Sequence, residues 1–115
     1  MSKPQAKDPV VIRVWKGDPD DVFALFPTDP ADIYGHYCTS YQHVGQHCAA
    51  DYHGCISQSD PAVPAEYRNL FEELERRGYH LTVRHRATPD MHERRFRLAA
   101  ERRCRSSKRF QETYA

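Results

Sequence analysis

The sequence predicts a small single α+β domain, a short antiparallel sheet of three to five strands packed with two helices in the order ββ(ββ)αβα. Three observations predict it. An apolar, β-branched run at 10–16 is followed, across turn residues, by a second run at 22–26. Apolar residues recur at helical spacing over 64–77. A Thr-Pro-Asp start signal at 88–90 opens a long Arg-rich amphipathic segment. With 115 residues, 39% of them apolar, the chain can build one modest core. That domain is placed at 9–105, with 1–8 a disordered lead-in and 106–115 a basic C-terminal extension, either the end of the last helix or a tail beyond it.

In VVIRVWK (10–16), Val10, Ile12 and Val14 share one face, and Val11, Arg13 and Trp15 the other, with Trp15 assigned to the core. Gly17-Asp18-Pro19-Asp20 is turn chemistry, so VFALF (22–26) pairs back as a hairpin that Pro27 stops. TDPAD (28–32) reads as loop. Two further short strands are placed near 37–42 and 51–57. Pro64 suits a first helical position, and Tyr67, Leu70, Phe71 and Leu74 fall at i, i+3, i+4 and i+7 as a core-facing stripe. Glu72 and Glu73 each stand four residues before an arginine, and Gly78 is a natural stop. Residues 79–87 read as a strand. The second helix starts at 89, with Phe96, Ala99, Ala100, Cys104 and Phe110 on a narrow apolar side. Arg94, Arg95, Arg97, Arg102, Arg105, Lys108 and Arg109 fall opposite; Arg103, Leu98 and Met91 violate the division.

The net charge of +1 conceals an asymmetry: residues 1–75 carry 5 Lys+Arg against 12 Asp+Glu, and residues 76–115 carry 12 against 4. The basic end suits nucleic acid, which an arginine-bearing helix meets through phosphates, or an acidic protein surface. Asp18, Asp20, Asp21, Asp29 and Asp32 fall in predicted turns and are read as solvated. No run of about 18 apolar residues exists, so no membrane partner is expected. MSKPQAKDP lacks the apolar core of a secretory signal, so the expectation is a cytoplasmic setting with the four cysteines reduced.

The densest chemistry lies in twenty residues holding His36, Cys38, His43, His47, Cys48, His53 and Cys55. Imidazole and thiolate suit zinc. His36/Cys38 and His53/Cys55 are spaced to share a strand face, and His43/His47 a helix face, so His36, Cys38, His43, His47, His53 and Cys55 are the candidate ligands. The spacing matches no zinc-finger pattern. A small hydrolase or phosphodiesterase centred on His43, His47 and His53 is the alternative, either metal-dependent or with these histidines as acid and base, assisted by Tyr41 and Asp51. No Gly-rich phosphate loop accompanies them. The bland reading makes the cysteines small core residues and the histidines hydrogen-bonders.

Four strings stand out together: ALFP-x-x-P-A-D, Y-C-x-S-Y-x-H-V-G-Q-H-x-x-A-D-Y, P-A-E-Y-x-x-L-x-x-E-L-x-x-x-G-Y and R-x-R-A-T-x-x-M-H-E-R-R. In them residues 10–97 resemble small proteins of unknown function from bacterial genomes and mobile elements such as prophages and plasmids. The chain departs from that pattern at Cys48, where a small residue is expected, and at Val63, where a capping Thr is expected. The resemblance implies a cytoplasmic accessory protein that docks on a host protein or nucleoprotein complex, an anti-defence inhibitor being one form. Tyr41, His43, Gln46, His47, Arg94, Arg95, Arg102 and Arg105 are the binding candidates. The hydrolase remains the second reading, and a small-ligand or nucleotide sponge, as a homodimer, the third.

Overall fold

The computed structural model describes residues 7–18, 20–42 and 47–114, with side chains as far as Ser106. The elements are β1 (Asp8–Trp15), β2 (Val22–Pro30), β3 (Cys38–Tyr41), β4 (His47–Ala50), α1 (Tyr52–Ser57), β5 (Ser59–Pro61), α2 (Pro64–Arg76), β6 (Leu81–Arg84) and α3 (Pro89–Tyr114). The fold is the expected α+β domain; the described residues form one six-stranded sheet and three helices, against the three to five strands and two helices expected.

The sheet runs β4-β3-β2-β1-β5, antiparallel throughout, and β6 is added in parallel to β1. β1 thus has two partners on its outer side. Its N-terminal half pairs with β6 (Asp8↔Leu81 to Val11↔Arg84), and its C-terminal half with β5 (Arg13↔Pro61 to Trp15↔Ser59). Alternation divides the buried residues between two faces. Val10, Ile12, Ala24, Phe26, Tyr41 and Leu81 pack with Leu70 and Leu74 of α2. Val11, Phe23, Leu25, Cys38 and Ala50 pack on the opposite face with Tyr52, Cys55 and Ile56 of α1. A strand buried on both faces has no polar side to show, which explains why VVIRV and VFALF are nearly continuous apolar runs. Trp15 stacks on Phe23 with ring centroids 4.1 Å apart.

Several boundaries differ from the sequence expectation, each for a local reason. Pro27 does not stop β2. The last β1 pair is Val11↔Leu25, and the β3 register shifts between Phe26 and Pro30, so the proline's missing N–H falls at an irregularity where no ladder bond is needed. Asp29 therefore lies within a strand, where its Oδ2 accepts from the Thr39 hydroxyl at 2.7 Å, and is not a turn residue. Residues 52–57 are helix, not the expected strand. Tyr52, Cys55 and Ile56 turn one face to the core at helical spacing, and Cys55 N–H donates to Asp51 O at 2.9 Å. The strand expected over 79–87 is restricted to Leu81–Arg84.

α2 matches its signals closely. At its C-terminus Gly78 adopts φ +99°, Tyr79 N–H donates to Leu74 O at 3.1 Å and Gly78 N–H to Glu75 O at 3.0 Å, a Schellman closure. At its N-terminus only half a capping box exists. Glu66 Oε1 accepts from Val63 N–H at 2.9 Å, but the valine side chain has no oxygen, and the Glu66 N–H donates to the Val63 main-chain O at 2.8 Å.

α3 faces the sheet with a different side from the one expected. Arg95 and Ala99 are buried and Met91, His92 and Leu98 half-buried, whereas Phe96 is exposed. Met91 and Leu98, which violated the apolar stripe, belong to the packed face, and Arg95, assigned to the basic surface, lies inside it, while Arg103 is exposed.

Candidate docking surface

The loop 31–37 between β2 and β3 is folded by its own polar groups. Ala31 N–H donates to Tyr37 O at 2.9 Å, Gly35 N–H to Asp32 O at 3.2 Å, and Tyr37 N–H to Asp32 Oδ1 at 2.9 Å. The bond from Tyr37 holds the Asp32 carboxyl below its ordinary pKa. Gly35 has φ +78°, and a Cβ there would stand 3.1 Å from Ala99 Cβ and 3.2 Å from Arg95 O. Glycine is thus required twice, for its backbone conformation and for the close approach of the loop to α3.

Arg95 fastens that approach. Its Nε donates to Gly35 O at 2.8 Å, and its Nη1 to Pro27 O at 2.7 Å and His92 Nδ1 at 2.8 Å. A guanidinium can only donate, so His92 Nδ1 accepts and the imidazole is neutral with its proton on Nε2. Burial, the Arg95 charge and the nearby His53 all push the His92 pKa down. Arg103 Nη1 adds a bond to Ile33 O at 2.7 Å, and its guanidinium lies 5.1 Å from the Tyr34 ring centroid.

Held this way, the loop turns its large apolar side chains outward. Ile33 is 66% exposed, Tyr34 55%, Tyr37 47% and Phe96, on the adjoining face of α3, 43%. Among the described residues only Val63 and Val83 are other large apolar side chains so exposed. His36 bridges the group, its ring 6.0 Å from Tyr34 and 6.2 Å from Phe96. Beside it lies a cleft of about 740 Å³ with Pro30, Ala31, Ile33 and Ala99 on its walls and Asp32, Arg102 and Arg103 at hand. Arg102 stands 3.6 Å from Asp29, both half in solvent.

The sequence-expected His/Cys site does not assemble among the described residues, where no three His, Cys, Asp or Glu side chains are placed to hold a metal ion. His36 belongs to the aromatic surface. Cys38 is fully buried in the sheet core, its thiol pushed up to about 11 by burial. His47, on β4, sets its Nε2 2.8 Å from the Tyr79 hydroxyl and its ring 4.8 Å from Tyr41, so it ties β4 to the end of α2. His53 and Cys55 lie on α1, His53 against the His92 ring at 5.3 Å and Cys55 against the core. Tyr41, a candidate in both the binding and the hydrolase readings, is completely buried and has the Arg77 guanidinium over its ring. Asp51 is the extended residue preceding α1. His43 and Gln46 lie outside the described residues.

No family model, curated protein or solved structure is significantly similar to this chain. No described helix is long and apolar enough to cross a membrane.

The surface of Ile33, Tyr34, Tyr37 and Phe96 escaped the sequence reading. Its signal was Asp-Ile-Tyr-Gly-His-Tyr (32–37), large apolar residues set among turn formers with no period to bury them. Arg102 and Arg105 are exposed on α3 as expected, and so is Arg94.

Proposed function

We propose that this protein is a small binding module that docks on a partner protein through the 31–37 loop and the adjoining face of α3. One observation carries the reading: Ile33, Tyr34, Tyr37 and Phe96 are exposed together, with arginines at their edge. Stranding such side chains in water is unfavourable, and a patch of this composition, aromatic with Arg beside an apolar cleft, is the kind from which interface anchors are drawn. Arg102 and Arg103 favour a partner whose contacting surface is acidic around an apolar projection. The expectation of an accessory protein that acts on a larger host complex is in keeping with this surface.

The test is affinity capture from extract of the native cell, with the full chain as bait and captured proteins quantified. Wild type and His47→Gln should both recover the same partner at near-equal stoichiometry with the bait. Tyr34→Ala/Phe96→Ala, with an unchanged circular dichroism spectrum, should recover it at least tenfold less. Capture that survives the aromatic double variant would reject the surface. Loss of capture in His47→Gln, with the aromatic variant unaffected, would return the reading to the His/Cys segment.

A further inference from the structure

A second cleft, of about 310 Å³, opens where β6, β1 and β2 meet the first turns of α3, away from the aromatic surface. Lys7, Arg84 and Arg94 line it, together with Thr28, Thr82 and one carboxylate, Asp90. The fold brings these cations together from three places in the chain. The parallel register Pro9↔Thr82 and Val11↔Arg84 puts Thr82 and Arg84 beside the start of β1, which follows Lys7. Arg94 comes from α3.

Lys7, Arg84 and Arg94 are exposed at this cleft, whereas three other arginines are engaged by internal hydrogen-bond partners. Arg13 bonds Ser59 Oγ and the carbonyls of Ile56 and Ser59, Arg95 bonds two carbonyls and His92, and Arg103 bonds Ile33 O. Among the described residues Lys7, Arg84 and Arg94 have no carboxylate within ion-pair distance. Three like charges drawn to one concavity repel one another, and a bound anion removes that cost.

We infer that the cleft bounded by Lys7, Arg84 and Arg94 is a phosphate-binding site. Arginine and lysine are the side chains that take phosphate oxygens, Arg through paired donors and Lys as a point charge. The Thr28 and Thr82 hydroxyls add neutral donors at the same cleft. Asp90 limits affinity, because its carboxylate repels the ligand. The phosphate can belong to a free nucleotide or to a polynucleotide backbone. The site does not depend on the docking reading.

The experiment is a ¹⁵N-amide NMR titration of the full chain at 0.15 M NaCl with inorganic phosphate, then with a mononucleotide and a single-stranded oligonucleotide. Saturable shifts should centre on Thr82, Arg84 and Asp90–Arg94. Arg84→Gln/Arg94→Gln should weaken binding at least tenfold, Arg97→Gln/Arg105→Gln less than twofold, and Asp90→Asn should tighten it several-fold. Saturation by mononucleotide and oligonucleotide at similar concentrations would assign a free ligand. A much tighter oligonucleotide complex that phosphate displaces would assign a nucleic-acid backbone. The inference is overturned if shifts spread evenly over the basic residues without saturating, or if the Arg84/Arg94 variant binds like wild type.

Discussion

Arg95 and Gly35 together decide whether the 31–37 loop stays against α3. Arg95 satisfies Gly35 O and Pro27 O from inside the domain, so Arg95→Met should leave both carbonyls without that donor. An orphaned buried acceptor costs about 1–3 kcal/mol, and the urea midpoint should fall accordingly. Arg95→Lys should rescue little, since one ammonium cannot reproduce the fork. Gly35→Ala should cost about 1–3 kcal/mol by forcing a side chain into the left-handed region, and the contact with Ala99 adds to that. Its amide-exchange signature should be faster exchange confined to 31–37 and the facing turn of α3. A uniform change across the sheet would show that the loop is not an independent unit.

At the scale of elements, α2 is well terminated and poorly started. Val63 is extended at φ −87°, ψ 158°, the backbone conformation an N-cap needs, and it is 54% exposed. Val63→Thr should therefore offer the Glu66 amide, which donates to the main-chain O of residue 63, a side-chain acceptor as well, and raise stability by about 0.5–1 kcal/mol. Thermal unfolding would read this as a rise of a few degrees, and no rise would mean that the helix start is already held by tertiary packing. α3 teaches the complementary lesson. Its packed face combines Met91, Arg95, Leu98 and Ala99, and a buried arginine is invisible to a division of residues into apolar and charged.

Across the whole molecule, the contact between α1 and α3 makes stability depend on pH. His92 is held neutral by Arg95 and faces His53, with Tyr52 beside both and its hydroxyl accepting from Ala87 N–H at 2.6 Å. Its folded pKa lies below the unfolded value of 6.5. The unfolded chain thus takes up a proton at this position at a higher pH than the folded one. The stabilisation from neutral His92 is complete above about pH 6.5 and is lost as pH falls through the folded value. Denaturant melts should show stability declining below that point, and His92→Asn, which offers an acceptor in place of Nδ1 but does not titrate, should flatten the decline. An unchanged slope in His92→Asn would assign it to other groups.

The sequence alone determined the features that depend on nearest neighbours and on the period of a single segment. Those were the β1–β2 hairpin, the bounds of α2 with Gly78 beyond its end, the start of α3 at Pro89 and the α+β class. What only the tertiary structure decided was which side of each element meets another. The His/Cys segment looked like a site because its residues are close in sequence. Tyr41 and Cys38 turn into the core, His47 meets Tyr79 and His53 meets His92, so the described members of that segment are sent to different neighbours. The exposed aromatic surface and the Lys7, Arg84 and Arg94 cleft join residues distant along the chain. Their proximity comes from strand register and from Arg95 pinning the loop to α3, and no local pattern encodes either.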